Sequence, residues 1–362
     1  MNKSTTVPDR FREGTGMKAI VYTEYGSPDV LRIQEVKTPV LKSDEVLVRV
    51  HAASVNFGDL LARNFSAVRP RDFTMPMPLW LPARLSFGYS KPKKRILGSE
   101  YAGVVDTVGS DVTRFKPGDP VFGYRGQKMG TYTEYISVSE QANIAVKPEN
   151  VSYEEAAVIP YGAITALNLL KRVGGGNGAA IPFSNRRVLV NGASGSIGSA
   201  AVQLAKHYGA EVTGVCGTPR LEFVQSLGAD HVIDYSREDF TANGATYDLI
   251  FDILGKSSFS RCKNSLTPHG RYLLASFKTR QLLQMLWTSL PGRRSGKRVI
   301  CALSSEHAED MQMIRELVES GKITSLIDKR FPMEKAAEAH RYAESGSKRG
   351  NVVITIRSDS AT

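Results

Sequence analysis

Cysteine is scarce in this chain. Cys216, Cys262 and Cys301 are widely spaced and odd in number, which excludes a disulfide framework and a Cys-x-x-Cys zinc knuckle. They are expected to be reduced and mostly buried. The six histidines form no His-x-x-x-His pair and no cluster with cysteine, so no metal site is expected. Long apolar runs are missing too: none approaches the ~18 residues of a membrane-spanning helix. The opening MNKSTTVPDRFREGTG lacks the apolar stretch of a secretory signal. A cytoplasmic protein is expected, with residues 1–16 as a flexible extension ahead of Met17. Internal repeats are absent, and GGGNG at 174–178 reads as a flexible loop.

What is present suits a globular protein of two domains: 362 residues, 41% apolar and 23% charged. The net charge of +11 is local. Residues 63–95 carry eight basic residues against one acidic, and 278–298 carry six basic and none acidic, so these two segments exceed the net charge and leave the remainder slightly acidic. A dispersed nucleic-acid footprint is not expected.

From Met17 to about Lys147 the chain reads as short strands separated by turns: KAIVYTEYG, LRIQEV, EVLVRVHAASVN, YAGVVDTVG, VFGY and TYTEYISV. This predicts a partly closed antiparallel β domain. The pattern then changes. SYEEAAVIPYGAITALNLLKRVG has helical apolar spacing, a Ser152/Glu155 capping box and Gly174 as a stop. Strands and helices alternate from RRVLVNG to GRYLLASF, predicting an α/β fold with a doubly wound parallel sheet. A capped helix is expected over 304–320, followed by KITSLIDKRFP, a helix around AAEAHRYAES and the strand NVVITI.

The most specific local signal is NGASGSIGSAAVQLAKHYGA, which leaves the strand RRVLV and opens a helix. Gly195 and Gly198 take the second and third glycine positions of a Rossmann dinucleotide fingerprint, with Ala193 in the first. Gly195 would let the backbone approach a pyrophosphate, and Gly198 would let helix and strand pack closely. Ala193, Ser194, Ser196 and Ile197 complete the turn, the amides of Ser196 and Ile197 pointing at the anion. Where an acid would hold the ribose 2′-hydroxyl of NAD, the chain instead has Gly217-Thr218-Pro219-Arg220. With Thr218 as helix cap and Pro219 at the first helical position, Arg220 would meet a 2′-phosphate, favouring NADPH.

These residues, with MKAIVYTEYGSPDVL, VNFGDLL, LGSEYAGVV, KPGDPVFGY, GAITAL, SLGADHVIDY and GNVVITI in order, resemble the medium-chain dehydrogenase/reductase superfamily, in its zinc-free quinone oxidoreductase-like branch. The resemblance covers Met17 to Ile356. It implies a GroES-like antiparallel β substrate domain (17–157 and 322–362) with an NADP-binding Rossmann domain (158–321) inserted. Asn56 and Ser99 stand where zinc-dependent members carry Cys and His, Glu100 remains, and the four-cysteine structural lobe is absent. Asn and Ser are poor zinc ligands, so no metal is expected, and reduction of an electrophilic quinone or enone is favoured over alcohol oxidation. The resemblance places Asn56 and Thr165 at the nicotinamide with Tyr161 nearby, Asn56 and Tyr161 being the candidate catalytic residues. It places Tyr235 by the adenosine, and Leu254, Ser276, Phe277 and Asn351 along the nicotinamide half. Tyr161 or solvent would protonate the product. A homodimer is implied.

Residues 64–95 and 278–298 are longer than that family's pattern, and each combines a tryptophan-bearing apolar stretch with basic residues. Three uses are open: a lid over a large apolar acceptor, contact with an anionic membrane surface, or packing within the protein or a dimer. The first functional expectation is an NADPH-dependent reductase of a quinone or α,β-unsaturated carbonyl. Alternatives are an NADP-linked reductase of another apolar carbonyl compound, and an NADPH-binding redox sensor or RNA-binding protein with little turnover.

Overall fold

The computed structural model describes residues 16–174, 183–290, 296–305 and 307–357. The extension before Gly16, the loop beyond Gly174 and the basic pair Arg293 and Arg294 lie outside the described residues.

Strands β1 (Gly16–Val21) and β2 (Arg32–Lys37) pair as an antiparallel ribbon. The first domain then runs β3 (Glu45–Ser54), α1 (Phe57–Arg63), α2 (Trp80–Phe87), β4 (Glu100–Val108), β5 (Pro120–Tyr124), β6 (Tyr135–Ser139) and β7 (Ile144–Val146). Strand β3 shows why this region is sheet. Val46, Val48 and Val50 pack on Tyr101, Val105 and Val121, while Ala53, at the other parity, joins a second core with Leu97 and Tyr132.

Helices α3 (Tyr153–Ala156) and α4 (Pro160–Val173) lead into β8 (Arg187–Asn191), α5 (Ser196–His207), β9 (Glu211–Cys216), α6 (Leu221–Ser226), β10 (His231–Asp234), β11 (Tyr247–Asp252), α7 (Phe259–Cys262), β12 (Leu266–Leu274), α8 (Thr279–Ser289) and β13 (Arg298–Cys301). The six strands form one parallel sheet in the order β10-β9-β8-β11-β12-β13. This is the doubly wound order, with its reversal between β8 and β11. Both faces are covered, so the strands are apolar at consecutive positions: Val188 and Val190 face one core and Leu189 the other. Helices α9 (Ala308–Glu319) and α10 (Ala336–Glu344) flank β14 (Ile327–Pro332), and β15 (Asn351–Thr355) ends the fold. β14 pairs with β15 and β15 with β3, so the last segment closes the seven-stranded sheet of the first domain.

Two elements differ from the pattern reading. The helix expected from Ser152 to Gly174 is two helices, because Pro160 has no N–H for a continuous ladder and instead starts α4. The Ser152/Glu155 box caps only the short α3. The helix expected from 304 starts at Ala308, with Glu309 and Asp310 in its first turn, where carboxylates favour the helix N-terminus.

Candidate active site

The strand order reverses between β8 and β11, and in a doubly wound sheet the ligand crevice lies outside the carboxyl ends of the two strands at that point. There Asn191 Nδ2 donates to Asp252 Oδ1 (3.0 Å), whose carboxylate also accepts from the Gly255 and Ser257 amides and from the Tyr272 hydroxyl at 2.8 Å. Asp252 thus ties both strands and the loop beyond β11 into one rigid rim. Gly192, at φ +95°, turns the chain out of β8, and Gly195 forms the N-cap of α5. A Cβ on Gly198 would lie 2.1 Å from Gly192 O and 2.8 Å from Ala193 Cα, so only glycine fits the helix against the turn. On Gly195 it would meet nothing closer than Gly192 O at 3.6 Å. The space beside Gly195, at the start of the helix that carries the Ser196 and Ile197 amides, is therefore open, which suits the approach of an anion. Ala193 is buried; Ser194, Ser196 and Ile197 are partly exposed.

The first domain delivers a buried polar cluster beside this turn. Asn56 ends the extended segment after β3 and is the N-cap of α1. Its backbone N–H donates to Asp59 Oδ2 (2.9 Å), and Asp59 Oδ1 accepts from the Gly98 amide (2.8 Å). The Asn56 side-chain amide is thereby turned inward, donating to Ser54 Oγ at 2.8 Å and to Glu100 Oε2. Ser54 also donates to Glu100 Oε2, and the Tyr161 backbone N–H donates to Glu100 Oε1 at 2.6 Å. Glu100 is fully buried. Burial pushes its carboxyl up to about 7 against the lowering effect of those three donors, and burial likewise raises Asp59 to about 6. The next residue along α4, Gly162, packs so tightly on α5 that a Cβ would lie 2.3 Å from Ser196 O. Tyr161 therefore joins the buried carboxylate to the start of the glycine-turn helix.

The Tyr161 ring lies 5.7 Å from that of Tyr124. Its phenol is pushed up to about 12 by burial first and then by the charge of Glu100. It stays protonated near neutral pH, so it holds an O–H proton and is not a base.

The polar cluster continues outward from the site. Tyr132 OH donates to Ser54 O (3.1 Å) and lies 3.3 Å from His340 Nε2, while His340 Nδ1 is 3.0 Å from Arg63 Nη1. The buried Arg63 reaches Glu344 and Gly26 O. Desolvation, then the Arg63 charge, drives His340 down to about 3. From α10 it is a neutral bridge between Arg63 of α1 and Tyr132 at any physiological pH.

The remaining candidates fall at different distances from this centre. Thr165 lies one turn beyond Tyr161 on α4, and Asn351 shares a narrow cleft with Ala163, Ser196 and Thr324. Leu254 is exposed against Gly192, and Ser276 O lies under Gly255. The side chain of Phe277, however, is buried among Ile250, Tyr272 and Val299, so it packs the sheet rather than facing the crevice. Tyr235 is exposed beside Gly217 at the far end of β9 and β10. The expected capping is also corrected. Gly217, not Thr218, is the N-cap of a 3₁₀ turn over Thr218–Arg220; the Thr218 hydroxyl bonds Asp234 instead. Arg220 is not a free cation at a helix start: Nε donates to Lys348 O (2.9 Å) and Nη2 to Gly346 O. Lys348, drawn in beside Arg220 and held below the usual lysine range by burial and then by that neighbour, was not singled out by the sequence, nor were Ser54, Asp59 and Asp252. The one available signal was the Asn56-x-x-Asp59 capping spacing.

For zinc, the donor set does not fit. The oxygens of Glu100 are occupied by Ser54, Asn56 and a backbone amide, with no thiolate beside them. The described residues hold no group of three His, Cys, Asp or Glu side chains suited to a metal.

A dinucleotide-type turn at the switch point of a doubly wound sheet, set against a buried polar cluster from a second domain, defines a two-domain oxidoreductase. Residues 42–149 match the family model of the alcohol dehydrogenase GroES-like domain, and 227–354 match that of the zinc-binding dehydrogenases. The chain is 34% identical to the human mitochondrial NAD(P)H oxidoreductase RTN4IP1 over 98% of its length and 91% of that protein. It is 32% identical to the chloroplastic quinone-oxidoreductase QR1 of Triphysaria versicolor, covering 94% and 99% of the two chains. The solved structure of the quinone oxidoreductase from Coxiella burnetii superposes with a TM-score of 0.75 at 28% identity, over 94% of this chain and all of that one. The chain belongs to the medium-chain dehydrogenase/reductase superfamily, in its quinone oxidoreductase-like branch. It is an oxidoreductase with a GroES-like domain and a Rossmann-type domain.

Proposed function

We propose that this oxidoreductase uses NADPH to reduce a quinone or an α,β-unsaturated carbonyl compound, and does so without zinc. The observation that carries this reading is the contact of Gly162 with Ser196, which sets the Glu100–Asn56–Tyr161 cluster one residue from the open space beside Gly195. The names of relatives agree: a 2-methylene-furan-3-one reductase of Solanum lycopersicum and an NADPH-dependent alkenal/one oxidoreductase of Arabidopsis thaliana share 32% and 30% identity with this chain.

The coenzyme, when bound, supplies the hydride. The chain binds its pyrophosphate through the amides of Ser196 and Ile197 and leaves Gly195 bare for its approach. Asp252 stiffens the rim, and Leu254 and Ser276 border the nicotinamide half. Glu100 and Ser54 hold the Asn56 amide nitrogen, which fixes that side chain in place and gives alignment rather than acid strength. Tyr161 holds a proton on Oη for the reduced acceptor. Arg220 and Lys348, with Thr218 and Ser236, form the pocket for a 2′-phosphate.

An NADPH-oxidation screen with quinones and enones tests this reading. Turnover with at least one class is expected. Tight NADPH binding without oxidation by any acceptor, together with salt-sensitive RNA binding, would instead establish the sensor. The double variant Arg220→Ala/Lys348→Ala is expected to lower the preference for NADPH over NADH by about tenfold or more in fluorescence titrations. An unchanged ratio removes both residues from the 2′-phosphate site. Tyr161→Phe is expected to lower kcat about tenfold with NADPH affinity unchanged, and full activity would leave water as the proton donor.

A further inference from the structure

Helix α8 carries apolar side chains on its solvent face as well as on its core face. Leu283, Leu286, Trp287 and Leu290, spaced three, one and three apart, fall on one face and are all more than half exposed. Leu282 and Met285 on the opposite face pack against the core beside Val299, and Thr288 is buried. Leu303, just beyond β13, extends the exposed apolar surface.

Cations lie at the start of α8 and along its opposite flank. Lys278 and Arg280 stand at one end of α8, exposed. On its other side Arg172, Arg271 and Arg298 line an open groove of about 710 Å³ together with Met285 and Ser289 and no acidic side chain. Arg271 and Arg298 are direct neighbours across β12 and β13, a like-charge pairing that costs stability unless an anion lies over it. Lys278 Nζ also donates to Arg71 O (2.7 Å), joining α8 to the other basic insertion, where Met77, Leu81, Leu85 and Tyr89 are exposed around α2. The two segments that hold the net charge therefore meet, and both carry exposed apolar side chains.

A second copy of the chain is a poor fit to this face. The edge of β13 is closed to strand pairing, because Val299 N donates to Thr288 Oγ1 (3.1 Å) and Cys301 N to Met285 Sδ (3.4 Å), both from α8. A two-fold contact would also set this cationic segment, which contains no acidic residue, against itself. The complementary partner is flat, anionic at its surface and apolar just beneath. We propose that α8, with its basic flanks and the 64–95 insertion, docks this protein peripherally on an anionic lipid bilayer. The apolar stripe enters the acyl boundary and the arginines and lysines meet headgroup phosphates. No described helix is long and apolar enough to cross a membrane, so the attachment is superficial. Both insertions leave the chain close to the crevice, after Asn56 and after Ser276, so docking would bring an apolar acceptor dissolved in the bilayer near it.

The test is sedimentation of the purified full chain with vesicles of equal parts phosphatidylglycerol and phosphatidylcholine, or of phosphatidylcholine alone. The readout needs no turnover, so it stands apart from the proposed reductase activity. Wild type is expected to sediment with the anionic vesicles at low salt and to be released at high salt. Leu286→Ser/Trp287→Ser changes two side chains that are more than half exposed; it is expected to keep circular dichroism and NADPH affinity while its vesicle-bound fraction falls about tenfold. Arg280→Glu should weaken binding in the same direction. Of the chain's two tryptophans, Trp80 is anchored to Val68 O, so a Trp80→Phe variant should show a blue shift of Trp287 emission with anionic vesicles. Absence of sedimentation at low salt overturns the proposal. So does equal binding by the double variant, or a solution dimer that the same double substitution splits.

Discussion

Gly198→Ala is expected to destabilise the protein by about 3 kcal/mol or more and to remove coenzyme binding with it. The added methyl would lie 2.1 Å from Gly192 O and 2.8 Å from Ala193 Cα. Both are backbone atoms of the turn, so no side-chain rotation relieves the clash, and α5 must move off the sheet. Gly195→Ala provides the contrast. Its methyl would have no neighbour nearer than 3.6 Å, and φ at Gly195 is −80°, which alanine adopts freely. Its stability should stay within about 0.5 kcal/mol of wild type. Yet the methyl would stand where the pyrophosphate must approach, so NADPH affinity should fall about a hundredfold. Thermal unfolding and nicotinamide fluorescence titration check the pair together. Wild-type affinity in Gly195→Ala would remove the coenzyme from this turn.

The second large effect concerns Glu100. Its carboxyl is raised to about 7 in the fold from an ordinary value near 4.5, so the native state prefers the protonated form. Its favourable contribution is complete below about pH 4.5 and is lost as pH rises through about 7, a change of a few kcal/mol. Asp59, raised to about 6 by burial, acts in the same direction. Glu100→Gln is therefore expected to be more stable than wild type above pH 7 and to lose less stability between pH 5 and 8. Denaturant unfolding at several pH values reads this directly, and an unchanged pH slope would show that Glu100 titrates normally. Activity should move the other way. A glutamine amide can keep the Tyr161 N–H on its oxygen only by facing Asn56 and Ser54 with its NH₂. The Asn56 amide must then flip, and a hydrogen-bonding group in the crevice changes polarity. A fall in kcat of about tenfold or more is expected, with NADPH affinity nearly unchanged.

Features contiguous along the chain are legible in the sequence. The glycine turn, its strand and its helix lie within about twenty residues, and their meaning is set by local backbone geometry and amide direction. The same holds for the Ser152/Glu155 box and for the alternation of apolar runs that announces a parallel sheet. Phe277 shows the limit of such reading. Its position after β12 is close to the crevice, but the chain bends at Ala275 and Ser276 and its ring joins the core with Ile250, Tyr272 and Val299. Arg220 shows another. The chain gives its charge and place after β9, but its partners are carbonyls of Lys348 and Gly346, 128 and 126 residues away.

By itself the sequence determined the fold class, the two-domain plan, the place of the dinucleotide turn and the confinement of charge to two insertions. Each follows from periodicity, turn chemistry or composition, which act over a few residues. Only the tertiary structure decided that Glu100, 61 residues from Tyr161 and 44 from Asn56, gathers both of them with Ser54 in a buried cluster. It alone left one apolar side of α8, at Leu283, Leu286 and Trp287, exposed. Burial of a charge and exposure of an apolar face depend on which distant segments cover them, and no local pattern records that.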